Sequence, residues 1–151
     1  MLSRILPAFD QETTDFYRWQ IIYERRELED IIRKKSGIDF GIIKKIEPLQ
    51  RGPSGRISRL KIEGSKKTMI VGKELEIRRW LSASYLLSSA FVVSKTSTAD
   101  DSVERFTFTG GGWGHGVGLC QIGAAVMASK GFKAEEILSH YFTGAKIQKL
   151  Y

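Results

Sequence analysis

"RISRLKIEG" (56–64) is followed at once by "SKKTMIVG" (65–72), and this pair decides the fold class. In the first segment Ile57, Leu60 and Ile62 alternate with basic and polar residues, the pattern of a strand with one buried face. The second segment returns, so 57–71 reads as a β-hairpin, an antiparallel unit closed by a short turn. Just upstream, "RGPSGRI" (51–57) supplies the glycine and proline that a turn needs.

Working outward, "YRWQIIY" (17–23) and "SSAFVVSK" (88–95) have strand character, and "ERFTFTG" (104–110) alternates cleanly. "FGIIKKIEPL" (40–49) reads as a strand ending before Pro48. "RRELEDIIRKKSG" (25–37) places Leu28, Ile31 and Ile32 on one helical face, with Gly37 as the stop. "KELEIRRWLS" (73–82) is a short helix. Over 119–129, Leu119, Ile122, Ala125 and Val126 share a helical face ahead of Gly131. "KAEEILSHYFTG" (133–144) is a last helix closed by glycine, and "AKIQKLY" is expected to end in a strand. Residues 1–16 read as a polar lead-in, and 96–104 as a mobile acidic loop. The expected class is α+β, with mixed, largely antiparallel strands and hairpins and three to four short helices.

A chain of 151 residues fits one domain with a real core. Its 24 basic and 17 acidic side chains leave a net charge of +7, which favours anionic partners: nucleic acid, acidic lipid or an acidic polysaccharide. A merely soluble basic surface accounts for the charge equally well. No basic–aromatic motif supports nucleic acid, so that partner ranks last and none is expected. A single cysteine excludes an intrachain disulfide. The longest apolar run, "WLSASYLLSSAFVV" (80–93), is too short for a membrane span and is interrupted by serines. The opening residues lack the unbroken apolar stretch of a signal peptide.

The densest chemistry lies in "TFTGGGWGHGVGLCQ" (107–121). It is no phosphate cradle, because no register of 110–123 satisfies G-x-G-x-x-G and no G-K-[ST] follows. Three chemical readings remain. Cys120, at the start of a helix and near His115, has the setting of a nucleophile, although five residues across a glycine loop fix no geometry. His115, Cys120 and His140 are three potential zinc ligands, without paired spacing to support them. Third, glycines let backbone amides approach a ligand, Trp113 can stack on a sugar face, and His115 and Gln121 can bond hydroxyl or N-acetyl groups. Against the third stands a structural alternative, in which the glycines permit tight strand-to-helix packing and Trp113 is core.

The stretch "GGGWGHGVGLCQIGAAVMASKGFKAEEILSHYFTGAKI" (110–147) resembles the C-terminal signature of the stage II sporulation protein D family, also called the LytB amidase-enhancer family. Upstream, "SGRISRLKI" (54–62), "RRWL" (78–81) and "SSAFVV" (88–93) also look like that family, so the resemblance covers about 17–151. It implies a peptidoglycan-directed protein at the cell envelope, outside the cytoplasmic membrane. Its partners would be glycan strands and a cell-wall amidase or hydrolase, with no cofactor. Sporulation members are similar to lytic transglycosylases, which cut denuded strands between MurNAc and GlcNAc and leave a 1,6-anhydro end. One carboxyl serving as acid and base suffices for that reaction.

The family's acid is a glutamate in an N-terminal helical segment, and nothing before Tyr17 resembles it. Glu47-Pro48 has the dipeptide look but sits in a strand-like context, and the role is not carried over. The expectation is therefore the C-terminal part of such a domain (17–151), binding glycan without turnover. By the resemblance, Trp113, Gly114, His115, Gly116 and Gln121 line the groove, and Tyr151 stands at its edge. Cys120 is included among them, occupying a position where many members carry serine. Tyr141 is read as helix packing, and Arg56 as fixing a turn in preference to holding a carboxylate.

Overall fold

In the computed structural model, which describes residues 17–99 and 102–148, the helix over 25–37 is the first expectation met. Helix α1 (Arg25–Ser36) buries Leu28 and Ile32, one turn apart on the same face, and leaves Arg26, Arg33 and Lys34 in solvent. It ends where Gly37 takes φ 72° and donates its N–H to Arg33 O at 2.9 Å. Arg33, Lys34 and Lys35 occupy the last turn, where the helix dipole favours positive charge.

Six antiparallel strands form two three-stranded sheets, and with four helices among the described residues the class is α+β. Sheet A has the order β1 (Trp19–Glu24), β6 (Val103–Gly110), β5 (Phe91–Ser97). Sheet B is a meander of β2 (Ile43–Arg51), β3 (Ile57–Gly64) and β4 (Thr68–Gly72). All of sheet B, with α1 and helix α2 (Glu74–Trp80), intervenes in the chain between β1 and its neighbours in sheet A. Sheet A is therefore completed only when the chain returns with β6, pairing Trp19 with Gly110 and Tyr23 with Phe106. The hairpin read over 57–71 is β3–β4, in register from Arg59↔Gly72 to Glu63↔Thr68.

Period-2 alternation sorts the faces. On β6, Phe106 and Phe108 point into the core while Arg105 and Thr109 face solvent. Phe108 is fully buried, edge-on to Tyr23 (centroids 5.9 Å) and to Phe91 (5.4 Å). The same core takes in Ile43, Ile57, Leu60 and Ile62 from sheet B, Leu28 and Ile32 from α1, and Ile77 and Trp80 from α2.

Several boundaries differ from the sequence reading. β2 runs through Pro48 to Arg51, because β2 is an edge strand and the ladder slips between Pro48 and Gln50. An edge tolerates the N–H that proline lacks. Helix α3 (Gln121–Ser129) begins two residues later than expected and buries Gly123 and Val126, leaving Leu119 and Ala125 exposed. Helix α4 (Ala134–Tyr141) stops before the glycine at 144. Residues 145–148 form no strand, and 149–151 lie outside the described residues, as do the lead-in 1–16 and residues 100–101 of the acidic loop. Two compact units divide at His115/Gly116: the larger holds both sheets, α1 and α2, and the smaller holds α3 and α4. Among the described residues no helix is long and apolar enough to cross a membrane.

Truncating Phe108 to alanine leaves a void that both ring neighbours line, so the variant should lose about 3–5 kcal/mol in urea unfolding. A loss below about 1 kcal/mol would mean that this ring cluster does not organise the core.

Candidate functional site

The glycine loop leaves the end of β6 at a point fixed by packing. Gly110 pairs with Trp19 on one side and Phe91 on the other, and those two rings meet at 6.2 Å. A Cβ on Gly110 would overlap the Trp19 indole, so only glycine lets that ring lie across the strand end. The indole Nε1–H then donates to Gly112 O at 3.2 Å.

Backbone groups of the next residues are tied down one after another. Gly111 N–H donates to Ala90 O (2.9 Å), and its own O accepts from the buried Ser88 hydroxyl (2.8 Å). Gly112 N–H reaches Tyr17 O at 3.3 Å. Gly114, at φ 88°, donates to Leu87 O (2.8 Å) and accepts from Arg56 Nε (3.0 Å). Trp113 thus sits between two anchored glycines, and its side chain is 60% exposed rather than core. An aromatic ring held in solvent on a braced backbone is a stacking surface.

Arg56 was expected to fix its own turn. That turn is closed instead by Gly52 N–H to Arg56 O (2.8 Å), Gly55 N–H to Gly52 O (2.9 Å) and Arg51 Nη1 to Gly55 O (2.8 Å). The Arg56 side chain is left to brace Gly114, 58 residues away in sequence.

His115 is exposed and closes the larger unit, and Gly116, also exposed, opens the smaller one. Within the smaller unit, Cys120 is the N-cap of α3: its Sγ accepts the Gly123 N–H at 3.4 Å, the place a capping serine or threonine oxygen takes. The thiol is exposed, and Gln121, the first helical residue, is exposed beside it. Gly123 faces Tyr141 of α4, and a Cβ there would collide with the Tyr141 hydroxyl. Burial raises the Tyr141 pKa above the ordinary 10.0, and charge on Cys120 would add to the rise. His140 packs edge-on against the Tyr141 ring at 4.9 Å. Among the described residues no group of three or more His, Cys, Asp or Glu is placed to hold a metal ion. Tyr151 lies outside the described residues.

Sequence reasoning missed Trp19, Ser88 and Arg51 as parts of this scaffold. Each acts through a bond to a backbone carbonyl distant in sequence, and no local pattern encodes that.

Two predictions follow from the α3–α4 contact. Gly123→Ala should destabilise the smaller unit, and adding Tyr141→Phe should recover part of the loss, because the phenol oxygen is the atom in the way; thermal melts of the four-member cycle read the coupling. No recovery in the double variant would mean that α4 packs otherwise. Second, burial also raises the Tyr23 pKa, with a smaller contribution from Glu27 and an opposing hydrogen bond from Ser82. Both phenols hold their protons more tightly folded than unfolded. Their stabilisation is therefore complete below pH 10.0 and is lost as pH rises through the raised folded values. Absorbance titration at alkaline pH should show two late-ionising tyrosines, one of which disappears in Tyr141→Phe.

The chain is 32% identical over 83 residues to the protein named "Amidase enhancer" of Bacillus subtilis (strain 168), a match covering 55% of this chain and 11% of that protein. It thus spans only a small part of that relative's length. A family model matches residues 1–118, which include both sheets and the braced loop through Gly118. The chain belongs to that family, described as a domain of unknown function (DUF8618).

Proposed function

We propose that this chain is a peptidoglycan-directed module that binds glycan strands through the glycine loop. The observation that carries the reading is Trp113, 60% exposed between the anchored Gly112 and Gly114. Stacking on a pyranose face needs an aromatic plane already in place, because ordering a loop on binding costs affinity. Gly114 and Gly116 keep the backbone bare on either side of His115, whose ring nitrogens offer both a donor and an acceptor to sugar hydroxyls. The family resemblance also counts Gln121 and Cys120 of the smaller unit among the glycan-binding residues, Cys120 through the N-cap it forms. The similarity to an amidase enhancer supports a wall-directed role at the cell envelope.

In this reading binding proceeds without turnover. Glu47, the carboxylate nearest in look to the family's acid, is engaged by Lys45 at 2.8 Å on β2. Cys120 serves as the α3 N-cap, a structural role that a serine at this position would fill equally. The relative's name favours a second reading, in which the glycan-bound chain presents its basic surface to a cell-wall amidase and raises that enzyme's activity.

The test is co-sedimentation with stem-peptide-free glycan strands, with the soluble products read by mass spectrometry. The expected result is retention of the chain without anhydro products, and about a tenfold or greater fall in retention for Trp113→Ala. Anhydro-muramyl ends would place a working acid within the chain. Undiminished retention of Trp113→Ala would remove the loop from the binding surface.

A further inference from the structure

An open cleft of about 340 Å³ lies in the larger unit against the wall from which the glycine loop springs. It is lined by the start of β5 around the exposed Val92, by the bare backbone of Gly110 and Gly111, and by Arg18 and Arg51. That volume sits at the low end of the roughly 300–1,000 Å³ typical of small-ligand sites, a size suited to one sugar ring.

Among the described arginines, Arg25, Arg33, Arg78, Arg79 and Arg105 each meet a carboxylate, while Arg26, Arg56 and Arg59, like the two at the cleft, form no ion pair. Among the described residues no carboxylate forms an ion pair with Arg18 or Arg51. A guanidinium carries five N–H donors. Arg18 spends one on Tyr17 O (2.7 Å), and Arg51 spends two on Gly55 O (2.8 Å) and Phe91 O (2.7 Å). Both keep donors and full positive charge facing the cleft. The backbone bonds of Arg51 also fix its plane, which suits the forked geometry of a carboxylate.

Resting on the glycan reading above, we propose that this cleft takes a saccharide bearing a carboxylate, with Arg18 and Arg51 on the carboxylate and the exposed Val92 side chain against the ring. Stem-peptide-free strands present that chemistry on every muramic residue, as the lactyl ether carboxylate, whereas chitin presents the same backbone without it. Trp113 follows the cleft wall at Gly111 by two residues, at most about 7 Å of chain, so one strand can meet both. An exposed valine beside two arginines suits a carboxylated sugar better than a flexible phosphate polymer, which needs charge without an apolar contact.

Calorimetry on the whole chain separates the possibilities with three probes: stem-peptide-free strands, the same strands with their carboxyls reduced to alcohols, and chitin oligosaccharides. The expected result is that carboxyl reduction weakens binding about tenfold and brings it to the level of chitin. Arg18→Gln should weaken native strands by a similar factor and leave the reduced strands unchanged. Arg18 is exposed and its guanidinium bonds only its neighbour's carbonyl, so the variant should fold; Arg51→Lys, which keeps charge and loses the fork, gives a second reading of the same site. Equal binding of native and reduced strands overturns the carboxylate inference and leaves the glycan reading standing. Failure of all three probes overturns the glycan reading and the inference with it. An Arg18→Gln loss equal on native and reduced strands, or a preference for a phosphate polymer over native strands, also overturns the inference.

Discussion

The Trp19 indole lying across Gly110 is the constraint on which the rest depends. Trp19 is on the first strand of sheet A and Gly110 ends the last one, so their contact closes the sheet around everything inserted between them. The same indole then donates to Gly112 O, carrying the closure one step into the loop. Packing and positioning are thus a single event: the ring that fills the end of the core also aims the chain that leaves it. Any side chain at 110 would displace the ring and release both.

The division between what the sequence disclosed and what it hid follows the range of the interactions. Helix α1 and its stop were legible because Leu28, Ile32 and Gly37 act within a turn or two of one another. The β3–β4 hairpin was legible for the same reason, its partners being joined by a short turn. Pro48 misled because a break is inferred from proline locally, while edge position is decided by the whole sheet. The buried face of α3 misled in the opposite sense. Apolar periodicity selects large residues, yet the position in contact with α4 is Gly123, chosen by the bulk of Tyr141 eighteen positions away. At the loop, residue types suggested a ligand surface but could not tell an exposed Trp113 from a buried one. The bonds from Trp19, Ser88 and Arg56 that decide its setting cross much of the chain.

Arginine is used in two ways in this molecule. Arg33, Arg79 and Arg105 each meet a carboxylate, and those exposed pairs contribute little stability individually. Around the glycine loop Arg51 and Arg56 donate to backbone carbonyls across tertiary distances and so act as struts. A strut of this kind leaves the charge uncompensated. Part of the chain's net charge of +7 therefore stands where the backbone is barest.

That arrangement bears on why the loop holds so many glycines. Removing side chains from 110–114 raises the entropy of the unfolded chain, a cost of up to about 1 kcal/mol for each glycine. Five hydrogen bonds from Trp19, Ser88, Arg56, Gly111 and Gly114 offset that cost and leave an ordered strip of backbone. If close packing alone were the purpose, Trp113 would be folded into the core with its neighbours. It is instead held outward between two anchored residues, and Arg18 and Arg51, which line the neighbouring cleft, keep donors unspent. A braced bare backbone, an exposed aromatic plane and guanidinium groups with donors to spare are the three features that the carboxylated sugar strand proposed above would engage together.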